Sequence, residues 1–347
     1  MSNSQTVKSE TAKTSPAVIL KLLRPRQWTK NFIAFAPALF AKGALLSPAV
    51  FVDVSVCVAA LCFISGSVYV FNDILDIEAD KKHPTKCNRP IASGKISVSA
   101  AFTVGCLSLV LSFLLAYLVR PALCLVILAY ILLQVAYVTK LKHRVILDVF
   151  SIAAGFVLRA VAGAAAASST SSAIVDMLGL ASAPALGGAQ AGASGHEILL
   201  SPWFLICTSM GALFLALEKR KAEFKFLGAD AAGHRQVLGK YTPALILRME
   251  AIIVPTLVTA YCLYSFNSTY GPWMMISVPP VLYGIMRYMV LSERDTTTGS
   301  PEEVLLKDRP IQNTVLLWVA SCLAVVYGDL STHLHNLIRF IDGLRFH

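Results

Sequence analysis

Residues 72–80 read Asn-Asp-Ile-Leu-Asp-Ile-Glu-Ala-Asp and close a long apolar run. Asp73, Asp76 and Asp80 stand at i, i+3 and i+7, a spacing that lines three carboxylates along one helical face. A charge at membrane depth costs about 2.5–3.5 kcal/mol on insertion scales, and three like charges on one face repel. A divalent cation removes that repulsion and gains oxygen ligands. Magnesium prefers a few carboxylates completed by water and substrate phosphates. The spacing therefore predicts a magnesium site on Asp73, Asp76 and Asp80, which are also the expected catalytic residues. Asn72, four residues before Asp76, adds an amide ligand or orients one. Glu78 points off this face and reads as solvated.

A basic loop follows, with Lys81, Lys82, His83, Lys86 and Arg89 among Pro84, Pro90 and Gly94. Cations beside an acidic metal helix suit a magnesium–polyphosphate ligand, because Lys and Arg take the phosphate oxygens the metal leaves. Lys86 and Arg89 are the expected ligand contacts. Lys81 and Lys82 read as membrane-surface charge, and His83 has no second ligand at metal spacing. A second basic run, 217–224, contains Glu218, Lys219, Arg220, Lys221 and Glu223. Lys219 and Glu223 share a face, which fits either an ion pair in a juxtamembrane belt or an anion site facing the acidic helix. On the second reading Lys219, Arg220 and Glu223 bind substrate, Arg24, Arg26 and Lys30 close the pocket, and Tyr241 caps it. Asp308 and Arg309 read as a surface pair, and Glu302 and Glu303 as helix-dipole partners. The chain has no phosphate-binding P-loop, zinc-protease helix or nucleophile-elbow motif.

These residues need a scaffold, and composition says which kind. Of 347 residues 56% are hydrophobic and only 14% charged, where soluble domains carry about a quarter charged. That excludes an ordinary soluble enzyme, and equally an extended disordered chain. Apolar runs at about 30–41, 49–72, 98–119, 121–138, 145–166, 202–217, 243–266, 270–291 and 312–330 predict an all-α polytopic membrane protein with nine transmembrane helices. The net charge of +10 reflects basic loops on one side of the membrane and does not call for nucleic acid. Lys and Arg crowd the N-terminal arm and the loops at 81–95, 140–144, 219–240 and 294–309. The alternate loops hold only Lys42 and Arg120. The N-terminus is therefore expected in the cytoplasm and the C-terminus outside. Residues 1–16 read as a disordered tail without a cleavable signal, 17–333 as one transmembrane domain and 334–347 as a C-terminal tail. An Ala/Ser/Gly-rich loop at 164–196 reads as a flexible outer insertion, with a short helix conceivable at 173–181. Seven of the eight cysteines lie in apolar runs and behave as small hydrophobes.

With these features in place, the chain resembles a known family. Asn72-Asp73-x-x-Asp76-x-x-x-Asp80 after a second span is similar to the first aspartate motif of the UbiA-type intramembrane prenyltransferase superfamily, which has nine helices and a magnesium-dependent cytoplasmic cavity. Residues 24–31, His83-Pro84-x-Lys86-x-x-Arg89-Pro90, Lys219-Arg220-x-x-Glu223 and Asp308-Arg309 resemble its decaprenyl-phosphate phosphoribosyltransferase branch. The likeness covers about residues 20–330 without the 164–196 loop. Aromatic prenyltransferases of the superfamily usually carry a second Asp-rich motif after the sixth span. This chain has Glu218-Lys219-Arg220-Lys221-Ala222-Glu223 there, and cations suit an anionic second substrate.

The resemblance implies transfer of 5-phosphoribose from 5-phosphoribosyl 1-diphosphate to a polyprenyl phosphate, releasing diphosphate, with Mg2+ as cofactor. This would be the first step toward polyprenyl-phosphoryl-arabinose for cell-wall glycan. The expected setting is a bacterial plasma membrane, multi-pass, with the site facing the cytoplasm and the lipid bilayer as a partner. A homo-oligomer is among the expected partners. The alternative within enzymes is an aromatic prenyltransferase of quinone-type biosynthesis. A transporter or channel, the alternative outside enzymes, is disfavoured because the charged motifs gather on one side.

Overall fold

The computed structural model describes residues 15–41, 44–82, 86–167, 201–227, 240–268, 270–294, 304–305 and 307–328. Among them the regular elements are all helical: α1 (Pro16–Leu22), a 3-10 segment (Pro25–Phe35), α2 (Ala36–Phe40), α3 (Pro48–Leu75), α4 (Ile77–Lys82), α5 (Val98–Val119), α6 (Pro121–Thr139), α7 (Leu147–Ala166), α8 (Pro202–Leu227), α9 (Pro243–Phe266), α10 (Val278–Arg294) and α11 (Arg309–Tyr327). Several begin with proline at the first or second position, where the missing N–H costs nothing. Ser97, Thr242 and Asp308 cap α5, α9 and α11 by accepting a backbone N–H.

Among the described residues seven helices are long and apolar enough to cross a membrane: α3, α5, α6, α7, α9, the stretch Pro272–Glu293 containing most of α10, and α11. Their outward faces agree. α5 exposes Leu107, Val110, Leu114 and Tyr117, and α6 exposes Leu125, Leu128, Leu132 and Val135. Apolar stripes of this extent fit lipid, not water. The chain is a multi-pass integral membrane protein.

The other two apolar runs fold differently from a plain spanning helix. Residues 30–41 split between the 3-10 segment and α2, with Pro37 near the start of α2. Residues 202–217 form the first part of α8, which continues without a break through the charged run to Leu227. Most of the 164–196 loop, the 173–181 helix, both terminal tails, Thr269, His83, Pro84, Glu302 and Glu303 lie outside the described residues.

Helix packing relies on small residues. Ser67 donates to the Gly105 carbonyl at 2.9 Å, and Ser112 to that of Ala60 at 2.8 Å. These bonds clamp α3 to α5 in the manner of membrane interfaces. Gly163 of α7 lies directly against the Ala34 backbone, and a Cβ there would overlap the Ala34 carbonyl. The far part of α7 joins a core built on α3, α5 and α6, while its first turns join one built on α8, α9 and α10. α7 therefore ties the two halves together.

Candidate active site

The acidic helix survives a joint. α3 ends at Leu75, yet the Asp76 N–H donates to the Asn72 carbonyl at 2.9 Å and the Asp80 N–H to the Asp76 carbonyl at 2.8 Å. The i to i−4 pattern thus passes into α4, and Asn72, Asp76 and Asp80 follow one another at successive turns.

Asp73 and Asp80 are 2% and 3% exposed, and two arginines hold them. Arg24 Nη2 donates to Asp73 Oδ1 at 2.5 Å. Arg89 Nη1 donates to the same oxygen at 3.1 Å and to Asp80 Oδ2 at 2.5 Å. Arg24 has left-handed backbone angles, φ 54° and ψ 63°, a conformation costing about 1–2 kcal/mol for a residue with a Cβ. The Asp73 pair and stacking over Tyr69, 4.9 Å from the ring centroid, offset that cost. Arg89 sits in a compact loop closed by Gly94 at φ +72°, a geometry that suits glycine.

The remaining predicted residues surround this core unevenly. Asp76 is exposed and makes no ion pair among the described residues, so the three carboxylates are not gathered as their spacing suggests. Among the described residues no group of three or more His, Cys, Asp or Glu is placed to hold a metal. The physical reason is charge: Arg24 and Arg89 draw in Asp73 and Asp80, and Asp76, at the α3–α4 joint, faces solvent. Asn72 and Lys30 are half-buried and Lys86 is exposed. Lys30 Nζ donates to Gln27 Oε1. Glu78 is solvated as expected, and a hydrogen bond from Lys81 holds its carboxyl below the usual range. The donor chemistry still suits magnesium. Asp73 and Asp80 both reach one nitrogen of Arg89, so two hard oxygens converge, and magnesium asks for few protein carboxylates.

The second basic run folds largely inward. Arg220 is 1% exposed. Its Nε donates to Asp148 Oδ2 at 2.8 Å, and its Nη1 to Glu223 Oε2 at 2.5 Å. Glu223 therefore pairs with Arg220 here. Tyr241 is also buried. Its hydroxyl donates to Asp148 Oδ1 at 2.7 Å and accepts the Ile146 N–H at 3.1 Å, and burial beside that carboxylate pushes the phenol well up in pKa. Ile146 needs this support because its φ is +72°. A buried arginine repays its desolvation only with such complete pairing, which explains the inward turn. Lys219 is half-buried. Lys221 bridges Glu250 at 3.2 Å and Glu293 at 2.6 Å, and Lys225 also reaches Glu293 at 3.0 Å. Asp308 pairs with Arg287 at 2.8 Å, where a surface pair with Arg309 was expected, and caps α11.

Sequence reasoning missed Asp148, which organises this second group. The signal was present: an acid at the head of an apolar run, the argument already applied to Asp73. It also left Arg24 in a supporting role, although Arg24 makes the shortest contact to Asp73.

An all-helical membrane bundle with a carboxylate–arginine cluster at the joint of two helices defines a class of intramembrane enzyme. Residues 32–301 match the UbiA prenyltransferase family, and the chain belongs to that family. It is 33% identical to the decaprenyl-phosphate phosphoribosyltransferase of Corynebacterium glutamicum over 89% of this chain and 86% of that protein. It is 31% identical to the Mycolicibacterium smegmatis protein of the same name, over 89% and 92%. A UbiA homolog from Archaeoglobus fulgidus bound to GPP and Mg2+ shares the fold with TM-score 0.62, at 18% identity over 89% of this chain and 99% of that one. A digeranylgeranylglyceryl phosphate synthase aligns with TM-score 0.57, at 18% identity over 88% and 98%.

Proposed function

We propose that this protein transfers 5-phosphoribose from 5-phosphoribosyl 1-diphosphate to a polyprenyl phosphate of decaprenyl type, releasing diphosphate. The reading is supported most by one observation: the Asp73–Asp80 cluster is flanked by Arg24 and Arg89, while the charged part of α8 carries the half-buried Lys219 where a second acidic motif would stand. Two anionic substrates need cations on both sides of one acidic site. The names of the 31–33% identical relatives point the same way.

Asp76, Asp80 and Asp73, with Asn72, would hold Mg2+ on the diphosphate. A bound magnesium neutralises the leaving group and fixes its direction. Arg24 and Arg89 are placed to turn from the carboxylates to phosphate oxygens, for which the guanidinium fork is suited. Lys30, Lys86 and Lys219 supply further positive charge around the two phosphates. Arg220, Glu223 and Tyr241 act from behind by fixing α7 to α8. The acceptor phosphate is mostly dianionic near neutral pH, with a second pKa of about 6, so it attacks the anomeric carbon without a general base. The carbon–oxygen bond to diphosphate breaks as the new one forms, which makes this a single displacement with inversion.

Nine crossings, a cytoplasmic N-terminus and an outer C-terminus are the proposed topology, in a bacterial plasma membrane. The Lys/Arg distribution supports it, and with it an Asp73 site on the cytoplasmic side. An aromatic prenyltransferase would share the first motif but lacks its second one here. A competition experiment tests the reading. Detergent-purified protein with magnesium receives phosphoribosyl diphosphate and polyprenyl phosphate in one tube, and a prenyl diphosphate with 4-hydroxybenzoate in another. Lipid-linked phosphoribose in the first supports the proposal, and a prenylated aromatic in the second alone overturns it.

A further inference from the structure

Arg159 lies within α7, one of the seven membrane-length helices, and is 5% exposed. Its Nε donates to Asn31 Oδ1 at 2.8 Å and its Nη2 to Tyr130 Oη at 2.8 Å. The guanidinium also rests on two rings, 4.9 Å from the Tyr130 centroid and 5.4 Å from that of Phe156. Every one of these partners is neutral. Among the described residues no carboxylate pairs with Arg159, and its Nη1 makes no hydrogen bond. The contrast with its neighbours is complete. Arg24 and Arg89 have Asp73, Arg220 has Asp148, Lys221 has Glu250, and Arg287 has Asp308. A buried charge without a counter-charge carries several kcal/mol of desolvation cost, and an intramembrane cation of this kind marks a site.

The position relates it to the acidic end of the bundle. Asn31 Nδ2 contacts Cys62 Sγ on α3 at 3.3 Å, and Cys62 precedes Asp73 by three turns, roughly 16 Å at the helical rise. Arg24, on the same N-terminal stretch as Asn31, reaches Asp73. Side chains tilt toward the N-terminus of their helix, and Arg159 Nη1 accordingly lies beside Gly155, 3.2 Å from where a Cβ would stand. Through Asn31 and Cys62 the guanidinium is tied to a level about three helical turns from Asp73 along α3.

We propose that Arg159 is a deep anion-binding residue that receives a phosphate monoester on Nη1, with Asn31 and Tyr130 fixing the plane of its guanidinium. Its assignment to one substrate rests on the phosphoribosyl-transfer reading: the monoester is either the 5-phosphate of the donor or the phosphate of the lipid acceptor. The bound dianion supplies the missing counter-charge and aligns that substrate with the diphosphate end.

Equilibrium binding to the full-length protein in detergent tests this, with ribose 5-phosphate and farnesyl phosphate as separate probes. One probe is expected to bind, and Arg159→Gln to weaken it roughly tenfold or more, while magnesium diphosphate binding is unchanged. The probe affected identifies the source of the phosphate. Should Arg159→Gln fail to fold, Gly155→Ala places a methyl group 3.2 Å from Nη1 and crowds the position proposed for the phosphate while keeping the arginine. It is expected to weaken the same probe and to raise KM for that substrate more than it lowers kcat, a split that loss of folding alone would not produce. Equal binding of both probes to wild type and variants overturns the proposal, as does failure of both to bind wild type. If no phosphoribose is transferred yet Arg159-dependent binding persists, the functional reading fails and this site stands. If transfer proceeds and binding ignores Arg159, this inference alone fails.

Discussion

Arg220 of α8 donates its Nε to Asp148 of α7 at 2.8 Å, with both side chains at most 1% exposed. A cation that belongs by sequence to a basic surface belt is thus the internal tie between two helices. Removing one partner of a buried pair typically costs 3–5 kcal/mol, because the other charge is left unpaired. Asp148→Ala and Arg220→Ala are each expected to lower the melting temperature in detergent strongly. The double variant is expected to cost less than the sum of the two, which a double-mutant cycle reads directly.

Asp73 and Asp76 separate by the same logic. Asp73 is buried under two arginines, so Asp73→Asn is expected to lose both turnover and thermal stability. Asp76 is exposed and unpaired, so Asp76→Asn is expected to lose about 10²-fold or more in turnover, on the scale of a lost electrostatic contact to the reacting groups. Its melting temperature should match wild type. Parallel kinetics and thermal unfolding distinguish the two roles, and equal stability loss in both would contradict the assignment.

Gly163 allows the 3-10 segment to approach α7. A Cβ at this position overlaps the Ala34 carbonyl, and neither backbone yields cheaply. Gly163→Ala is expected to destabilise by about 1–3 kcal/mol or more. Gly211, whose nearest neighbour is a Leu257 methyl at 3.9 Å, is the matched control and should tolerate alanine.

Asp308 provides a pH signature. The Arg287 hydrogen bond holds its carboxyl below the usual range, so the folded protein binds its proton less readily than the unfolded chain. Its contribution is fully present above the unfolded value of about 3.9 and is lost as pH falls through the lower folded value. The gap in melting temperature between wild type and Asp308→Asn should be constant from near neutral to mildly acidic pH and close in strong acid. Asparagine keeps an acceptor for the N-cap, so the gap reports the Arg287 pair, its charge and its hydrogen bonding together. Asp308→Ala should cost about 1 kcal/mol more.

Much of this architecture was legible because it is written in one-dimensional quantities. Long apolar runs became membrane-length helices, and the acidic motif stayed helical across the joint after Leu75. What the sequence could not carry was pairing across large separations. Nothing local shows that Arg24 meets Asp73, that Arg220 turns to Asp148, or that Asp308 chooses Arg287 over its neighbour Arg309. Helical spacing put Asp76 beside Asp73, yet the arginines draw only Asp73 and Asp80 inward. The run at 30–41 reads as a short span interrupted by Pro37, with its helix beginning earlier near Pro25. Its contact with Gly163 and the proline in α2 replace one long helix with two short pieces.

The most direct test follows both products of one reaction. Purified protein with magnesium, phosphoribosyl diphosphate and polyprenyl phosphate is sampled for released diphosphate and for lipid-linked phosphoribose. The account predicts equal amounts of the two, neither formed when the lipid is omitted, and both abolished by Asp76→Asn. Diphosphate release without lipid product, or a lipid product that survives Asp76→Asn, would contradict it.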